Sequence, residues 1–207
     1  MSASPIQWAP EPHRTLRECA QAHTGRLIDK WSHYFPIYER HFAKFVGRPI
    51  RLLEIGVGHG GSLQLWKAYF GHKAQIDGLD IDPRCEEYEE EQISITIADQ
   101  RDLVDSPKLN ALVQGFCWRD IVIDDGSHRP EDQASSFAAL WPHVEPGGVY
   151  LIEDCHNGYP QLHADSDDPG LIYYYPWVLV IEKPKRMVIG KPSRPLNQAE
   201  LEAYGPR

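Results

Sequence analysis

The segments DIVIDDGSHRPED (residues 120–132) and GGVYLIEDCHNGY (residues 147–159) each run from an apolar stretch into a cluster of acids. Asp124, Asp125, His128, Glu153 and Asp154 therefore fall just past two strand-like runs. In an open parallel sheet, that edge is where ligands bind. Carboxylates converging there without a compensating Lys or Arg would repel one another, and a hard divalent cation bound through oxygen resolves the conflict. Magnesium fits best, with Asp125, Glu153 and Asp154 as its ligands. His128 stands three residues after Asp125, and an imidazole, with its reference pKa of about 6.5, suits a general base. The competing reading is structural: acids at strand ends also cap helices or bind loop amides, a role that suits Asp124. His156 and Asn157 lie beside the cluster and are candidates for substrate contact.

A second constellation lies upstream. LLEIGVGHGG (residues 52–61) is an apolar strand ending in Glu54, followed by a glycine-rich turn leading into a helix near Ser62. Gly56, Gly58 and Gly60 allow close backbone approach to a ligand and positive φ. The pattern alone is weak, since dinucleotide sites and ligand-free tight turns share it. The next strand ends in GLDID, which puts Asp80 where a ribose diol would lie, with a plain turn carboxylate as the alternative. Asp99 and Gln100, after the third strand, are placed to reach the adenine of the same nucleoside. Glu54 would repel a pyrophosphate but tolerate the ammonium of an amino-acid ligand, which favours S-adenosylmethionine over NAD.

These residues need a scaffold, and the rest of the chain describes one. Apolar runs at Ile50–Ile55, Gln75–Leu79, Ile93–Ile97, Asp120–Ile123 and Gly148–Ile152 alternate with helical stretches at Ser62–Phe70, Leu103–Phe116 and Pro130–His143. The alternation predicts an α/β fold, a doubly wound, mostly parallel sheet. Leu171–Ile181 is strand-like but broken by Pro176, as in two short strands or an edge hairpin. Upstream, His13–Thr24 is helix-compatible, and Asp29–Val46 carries Tyr34, Tyr38, Phe42 and Phe45 at helical spacing. Those aromatics are expected to pack on the sheet rather than to form a substrate platform. The acidic run Glu86–Glu91 is read as a solvated helix face.

Composition narrows the function. With 21 Lys plus Arg against 30 Asp plus Glu in 207 residues, the net charge of −9 disfavours nucleic acid and anionic membranes as partners. Cys19, Cys85, Cys117 and Cys155 have no zinc spacing and read as reduced thiols. Met1–Glu11 lacks the basic start and apolar run of a signal peptide, so a cytoplasmic protein is expected.

Taken together, DKWSHYFPIYERHF, LLEIGVGHGGSLQLWKAYF, IDGLDI, DIVIDDGSH and GGVYLIEDCHNGY resemble the magnesium-dependent sugar O-methyltransferases of macrolide biosynthesis, over residues 28–160. WVLVIEK (residues 177–183) resembles that family's last, antiparallel strand. The resemblance implies a Rossmann-like class I methyltransferase domain at residues 28–190, between an N-terminal extension (1–27) and a tail (191–207). It implies methyl transfer from S-adenosylmethionine to a sugar hydroxyl or other vicinal diol, with Asp125, Glu153 and Asp154 on magnesium and His128 as base. Gly56, Gly58, Gly60, Ser62, Asp80, Asp99 and Gln100 would bind the cofactor, with Glu54 beside them. Catechol O-methyltransferases are similar in layout but carry a lysine where His128 stands. A non-catalytic S-adenosylmethionine-binding subunit is the rival from another class. The macrolide enzymes have an auxiliary N-terminal domain and a longer region after the fifth strand. With residues 155–170 so short, the acceptor pocket is expected to be more open or completed by another subunit of a homodimer or higher homo-oligomer.

Overall fold

The computed structural model of the chain describes residues 14–103, 119–162 and 170–185. Seven strands form one sheet: β1 (Arg51–Ile55), β2 (Gln75–Asp80), β3 (Ile93–Ile97), β4 (Arg119–Asp124), β5 (Val144–Ile152), β6 (Leu171–Tyr175) and β7 (Val178–Glu182). Their spatial order is β3-β2-β1-β4-β5-β7-β6. Strands β1 to β5 pair in parallel, whereas β7 runs antiparallel to both β5 and β6. The doubly wound sheet with an antiparallel C-terminal strand is thus the observed fold. Pro176, which has no amide to give a ladder, sits with Trp177 in the turn between β6 and β7. The predicted helix at Leu103–Phe116 lies almost wholly outside the described residues, as do Cys117 and the tail.

The central strands are apolar because both faces are covered. Ile121, Val122 and Ile123 of β4 are fully buried. One face receives α2 (Phe35–Phe42) and α3 (Gly61–Phe70), the other α4 (Pro130–Leu140). Tyr34, Tyr38, Phe42 and Phe45 are all buried, and Tyr38 and Phe42 meet Trp66 edge to face at 5.2 and 5.9 Å between ring centres. These aromatics are core, as expected, each contributing about 2–3 kcal/mol of burial. A short helix, α1 (Leu16–Gln21), is closed by a Thr15–Glu18 capping box.

One expectation needs adjusting. The acidic run is not a plain solvated helix face: Pro83–Tyr88 form a 3₁₀ helix, Glu89 accepts the Ile95 amide, and Glu90 pairs with Arg26 and Lys67. Cys19, Cys85 and Cys155 are free thiols, as predicted, but all three are buried. No helix among the described residues is long and apolar enough to cross a membrane.

The sheet order turns back on itself between β1 and β4, so chains leaving these two strands diverge and open a crevice. Past the last registered pairs, Ile55 with Asp124 and Asp124 with Ile152, the ladder continues by one bond on each side. The Asp125 amide donates to Ile55 and the Glu153 amide to Asp124, both at 2.9 Å. Those two bonds fix where Asp125 and Glu153 begin.

Candidate active site

Above the carboxyl ends of β1, β4 and β5 lies a cavity of about 420 Å³, walled by Trp31, Tyr34, the glycine turn, Asp125, His128 and Asp154 among others. Asp125 divides its two oxygens between two neighbours. Oδ1 meets His128 Nε2 at 3.0 Å, and Oδ2 accepts from the Lys30 ammonium at 2.6 Å. The side-chain donors of Asp125, His128 and Asp154 lie within 4.8 Å of one another and are partly open to solvent. Asp154 is also a hub. Its Oδ1 accepts from the Tyr34 hydroxyl at 2.5 Å and faces His156 Nε2 at 3.2 Å, and its Oδ2 lies 3.7 Å from His128.

Lys30 overturns the expectation of uncompensated acids. Its ammonium, 2 % exposed, donates to Glu54 at 3.0 Å, Asp125 at 2.6 Å and Glu153 at 3.0 and 3.1 Å. Burial disfavours that charge, but three carboxylates outweigh it and hold the Lys30 pKa well above the ordinary value. Burial likewise pushes Glu153 up to about 8 against the pull of Lys30. Asp125 goes the other way: burial raises it, but Lys30 and His128 bring it below the ordinary range. The hydrogen bond to Asp125 raises His128 above 6.5. Burial pushes the Tyr34 phenol far up, so it remains a donor to Asp154. No local pattern announces Lys30, whose partners are 24, 95 and 123 residues away; an acidic cluster needing a cation was the available signal.

Glu54 is fully buried, and Lys30, Ser62 and Trp66 supply donors to its oxygens. Both of its oxygens are engaged inside, rather than one being left for a ligand's ammonium. Asp80 holds the glycine turn, accepting the Val57 and Gly58 amides at 2.7 and 3.0 Å. The glycines divide by purpose. A Cβ on Gly56 would stand 2.1 Å from the Asp125 carbonyl oxygen, so Gly56 lets two strand-end loops meet, whereas Gly58, at φ +54°, faces open space.

A second cavity of about 260 Å³ continues from Gly56 and Asp80 past Ile81, Ala98, Asp99 and Gln100 to Ser127 and Arg129. Asp99 is paired with Arg101 at 2.5 Å. Gln100 is buried, donating to Ser136 and accepting from the Ser127 amide. Asp124 is buried with contacts to Gln100 and the Gly126 amide at 3.4 Å, the structural role foreseen for it; burial raises its pKa to about 6.

Three of the four non-glycine residues with left-handed backbone among the described residues cluster here: His128, Asp154 and Trp177. Such conformations cost energy, and they concentrate at functional sites.

No protein-family model matches the chain. Curated proteins and solved structures do. Residues of this chain are 44% identical over 155 positions to demethylmacrocin O-methyltransferase of Streptomyces fradiae, covering 70% of this chain and 38% of that protein. They are 37% identical over 150 positions to 8-demethyl-8-alpha-L-rhamnosyl tetracenomycin-C 2'-O-methyltransferase of Streptomyces olivaceus, covering 68% and 38%. The fold superposes on MycE, a methyltransferase of the mycinamycin biosynthetic pathway solved in complex with Mg, SAH and mycinamycin VI. The TM-score is 0.70 at 28% identity, covering 93% of this chain and 59% of that one. The match thus spans less than two-fifths of these curated relatives' length.

Proposed function

From its homology to the sugar O-methyltransferases of macrolide and tetracenomycin pathways, we propose that this chain transfers a methyl group from S-adenosylmethionine to a hydroxyl of a saccharide or glycosylated small molecule, assisted by magnesium. The observation that carries this reading is the open cluster of Asp125, His128 and Asp154 beside a glycine turn clamped by Asp80. Two of those three donors are oxygens on carboxylates that reach solvent, which suits a hard divalent ion. Asp125 and Asp154 would hold it together with Glu153, which lines the same cavity and whose oxygens Lys30 now engages. Bound there, magnesium would supply Lewis acidity and orientation to the acceptor's vicinal oxygens.

The chain's own residues do the rest. His128, its ring held by the Asp125 carboxylate, takes the acceptor's hydroxyl proton. Asp125 orients the ring and stabilises the imidazolium that forms. The acceptor oxygen bonds to the sulfonium methyl as the carbon–sulfur bond breaks, its proton passing to His128. Gly58 gives the amino-acid part of the cofactor room to approach, Gly56, Gly60 and Ser62 shape the turn, and Asp80 faces the ribose. The smaller cavity, bordered by Asp99 and Gln100, takes the adenine. Glu54 acts from behind, through Ser62 and Lys30. The domain is that of residues 28–190, and the acceptor is a small molecule.

The test is direct. Purified protein with S-adenosylmethionine and magnesium, offered methyl α-L-rhamnopyranoside and related vicinal-diol glycosides, should yield mono-O-methylated sugar by mass spectrometry, and chelation should abolish the product. S-adenosylmethionine bound without methylation of any vicinal-diol acceptor would instead indicate the non-catalytic subunit.

A further inference from the structure

The core aromatics of α2 are not the only ones in the upstream segment. Trp31 is 50 % exposed and Trp177, from the β6–β7 turn, is 40 % exposed. They meet edge to face at 5.2 Å between ring centres. His156 sits against Trp177 at 4.4 Å, and His33 lies 5.4 Å from Trp177. Three distant segments therefore bring indole and imidazole rings to one patch of surface.

That patch is continuous with the site. Trp31 walls the same cavity as Asp125, His128 and Asp154. His156, whose ring packs on Trp177, points Nε2 at Asp154 Oδ1. Trp177 is also held where a bulky residue rarely goes, at φ +63°. Its carbonyl accepts the Cys155 amide at 2.9 Å, tying the turn to the loop that carries Asp154 and His156. Two half-exposed indoles beside an acidic cluster, one of them held in a strained turn, leave apolar ring surface facing solvent, and that placement points to a ligand.

Resting on the function proposed above, we infer that Trp31 and Trp177 form the platform on which the acceptor's pyranose ring lies while its hydroxyls face Asp125, Asp154 and His128. A pyranose carries C–H groups on one face and hydroxyls around its rim. The electron-rich indole face attracts the first, and the carboxylates and imidazoles take the second. An amphipathic sugar therefore fits the junction of an aromatic patch and an acidic cluster better than a wholly apolar or wholly charged ligand would. The platform is a specificity determinant: it selects a ring with an apolar face and sets which of its hydroxyls reaches His128.

The experiment labels the protein with 5-fluorotryptophan and follows its ¹⁹F spectrum with magnesium and S-adenosylhomocysteine present as methyl α-L-rhamnopyranoside is added. The Trp31 and Trp177 signals, assigned by Trp31→Phe and Trp177→Phe, should move, whereas those of the buried Trp66 and Trp141 should stay. Trp31→Ala and Trp177→Gly should each weaken the glycoside about tenfold and leave S-adenosylhomocysteine affinity intact. Trp177→Gly also relieves the left-handed strain, so its fold should survive loss of the ring. Unmoved Trp31 and Trp177 signals, or unchanged glycoside affinity in both variants, in protein that binds S-adenosylhomocysteine, would overturn the platform and leave the cofactor assignment standing. Failure of the wild-type protein to bind S-adenosylhomocysteine would overturn the methyltransferase reading itself.

Discussion

Two clusters of charged side chains meet at Asp125, and they differ in their exposure to solvent. On the inner side, Glu54, Asp125 and Glu153 surround an ammonium from the chain itself, with Lys30 and Glu153 both sealed from solvent. On the outer side, Asp125 meets His128 and Asp154 where solvent reaches them. The inner position is a structural knot: one buried ammonium holds three carboxyl groups together. The outer position is open, and under the proposed function it is where acceptor and metal would meet. Asp125 has one oxygen in each, so the buried Lys30 contact orients the carboxylate that the proposed function would use on its other face.

Removing the inner cation should have the largest effect. Lys30→Met leaves the buried Glu54 and Glu153 and the half-buried Asp125 without their partner and should cost about 3–5 kcal/mol, lowering Tm by about 10 °C. Magnesium should restore more of that Tm in the variant than it adds to the wild type, since on the proposed function the two cations would share Asp125 and Glu153. Equal melting curves for variant and wild type would show that the knot does not organise the site.

On the outer side, His128→Ala should lower kcat by a factor of about 10² to 10⁴ while leaving S-adenosylhomocysteine affinity unchanged. Retention of full kcat across pH would remove His128 as the base. Asp154→Asn and Glu153→Gln should each weaken magnesium about tenfold by calorimetry. If Glu153→Gln binds magnesium like the wild type, the ion is confined to the outer cluster and Glu153 belongs to the knot alone.

The smallest effect is a titration. His128 gains stability for its charged form from Asp125, so in magnesium-free protein its ring should titrate above 6.5 by NMR. The base form is therefore lost as pH falls through that raised value, and kcat should fall with it. Magnesium beside the ring should shift the titration downward by repelling the imidazolium. An unshifted or lowered value without magnesium would mean that the His128–Asp125 bond does not persist in solution.

Legibility in the sequence followed distance along the chain. The strands were readable because burial on both faces makes each a short apolar run, and the carboxylates because they sit one or two residues past those runs. The hairpin was readable from Pro176. Lys30 was not, since its partners come from three separate strands' ends. Gln100 and Glu54 were placed correctly along the chain, but which way their polar atoms turn depends on Ser136, Ser127, Ser62 and Trp66, which only the fold brings near. The left-handed positions at His128, Asp154 and Trp177 gave no signal, because none of them is glycine. Trp31 and Trp177 were likewise silent: 146 positions separate them in the chain, and only the turn after β6 sets one beside the other.

The central claim is that this crevice holds an S-adenosylmethionine-type nucleoside and not a dinucleotide. Calorimetric titration with S-adenosylhomocysteine and, separately, NADH, each with and without magnesium, tests it most directly. The account predicts saturable binding of S-adenosylhomocysteine and none of NADH. Absence of S-adenosylhomocysteine binding, or a preference for NADH, would contradict it.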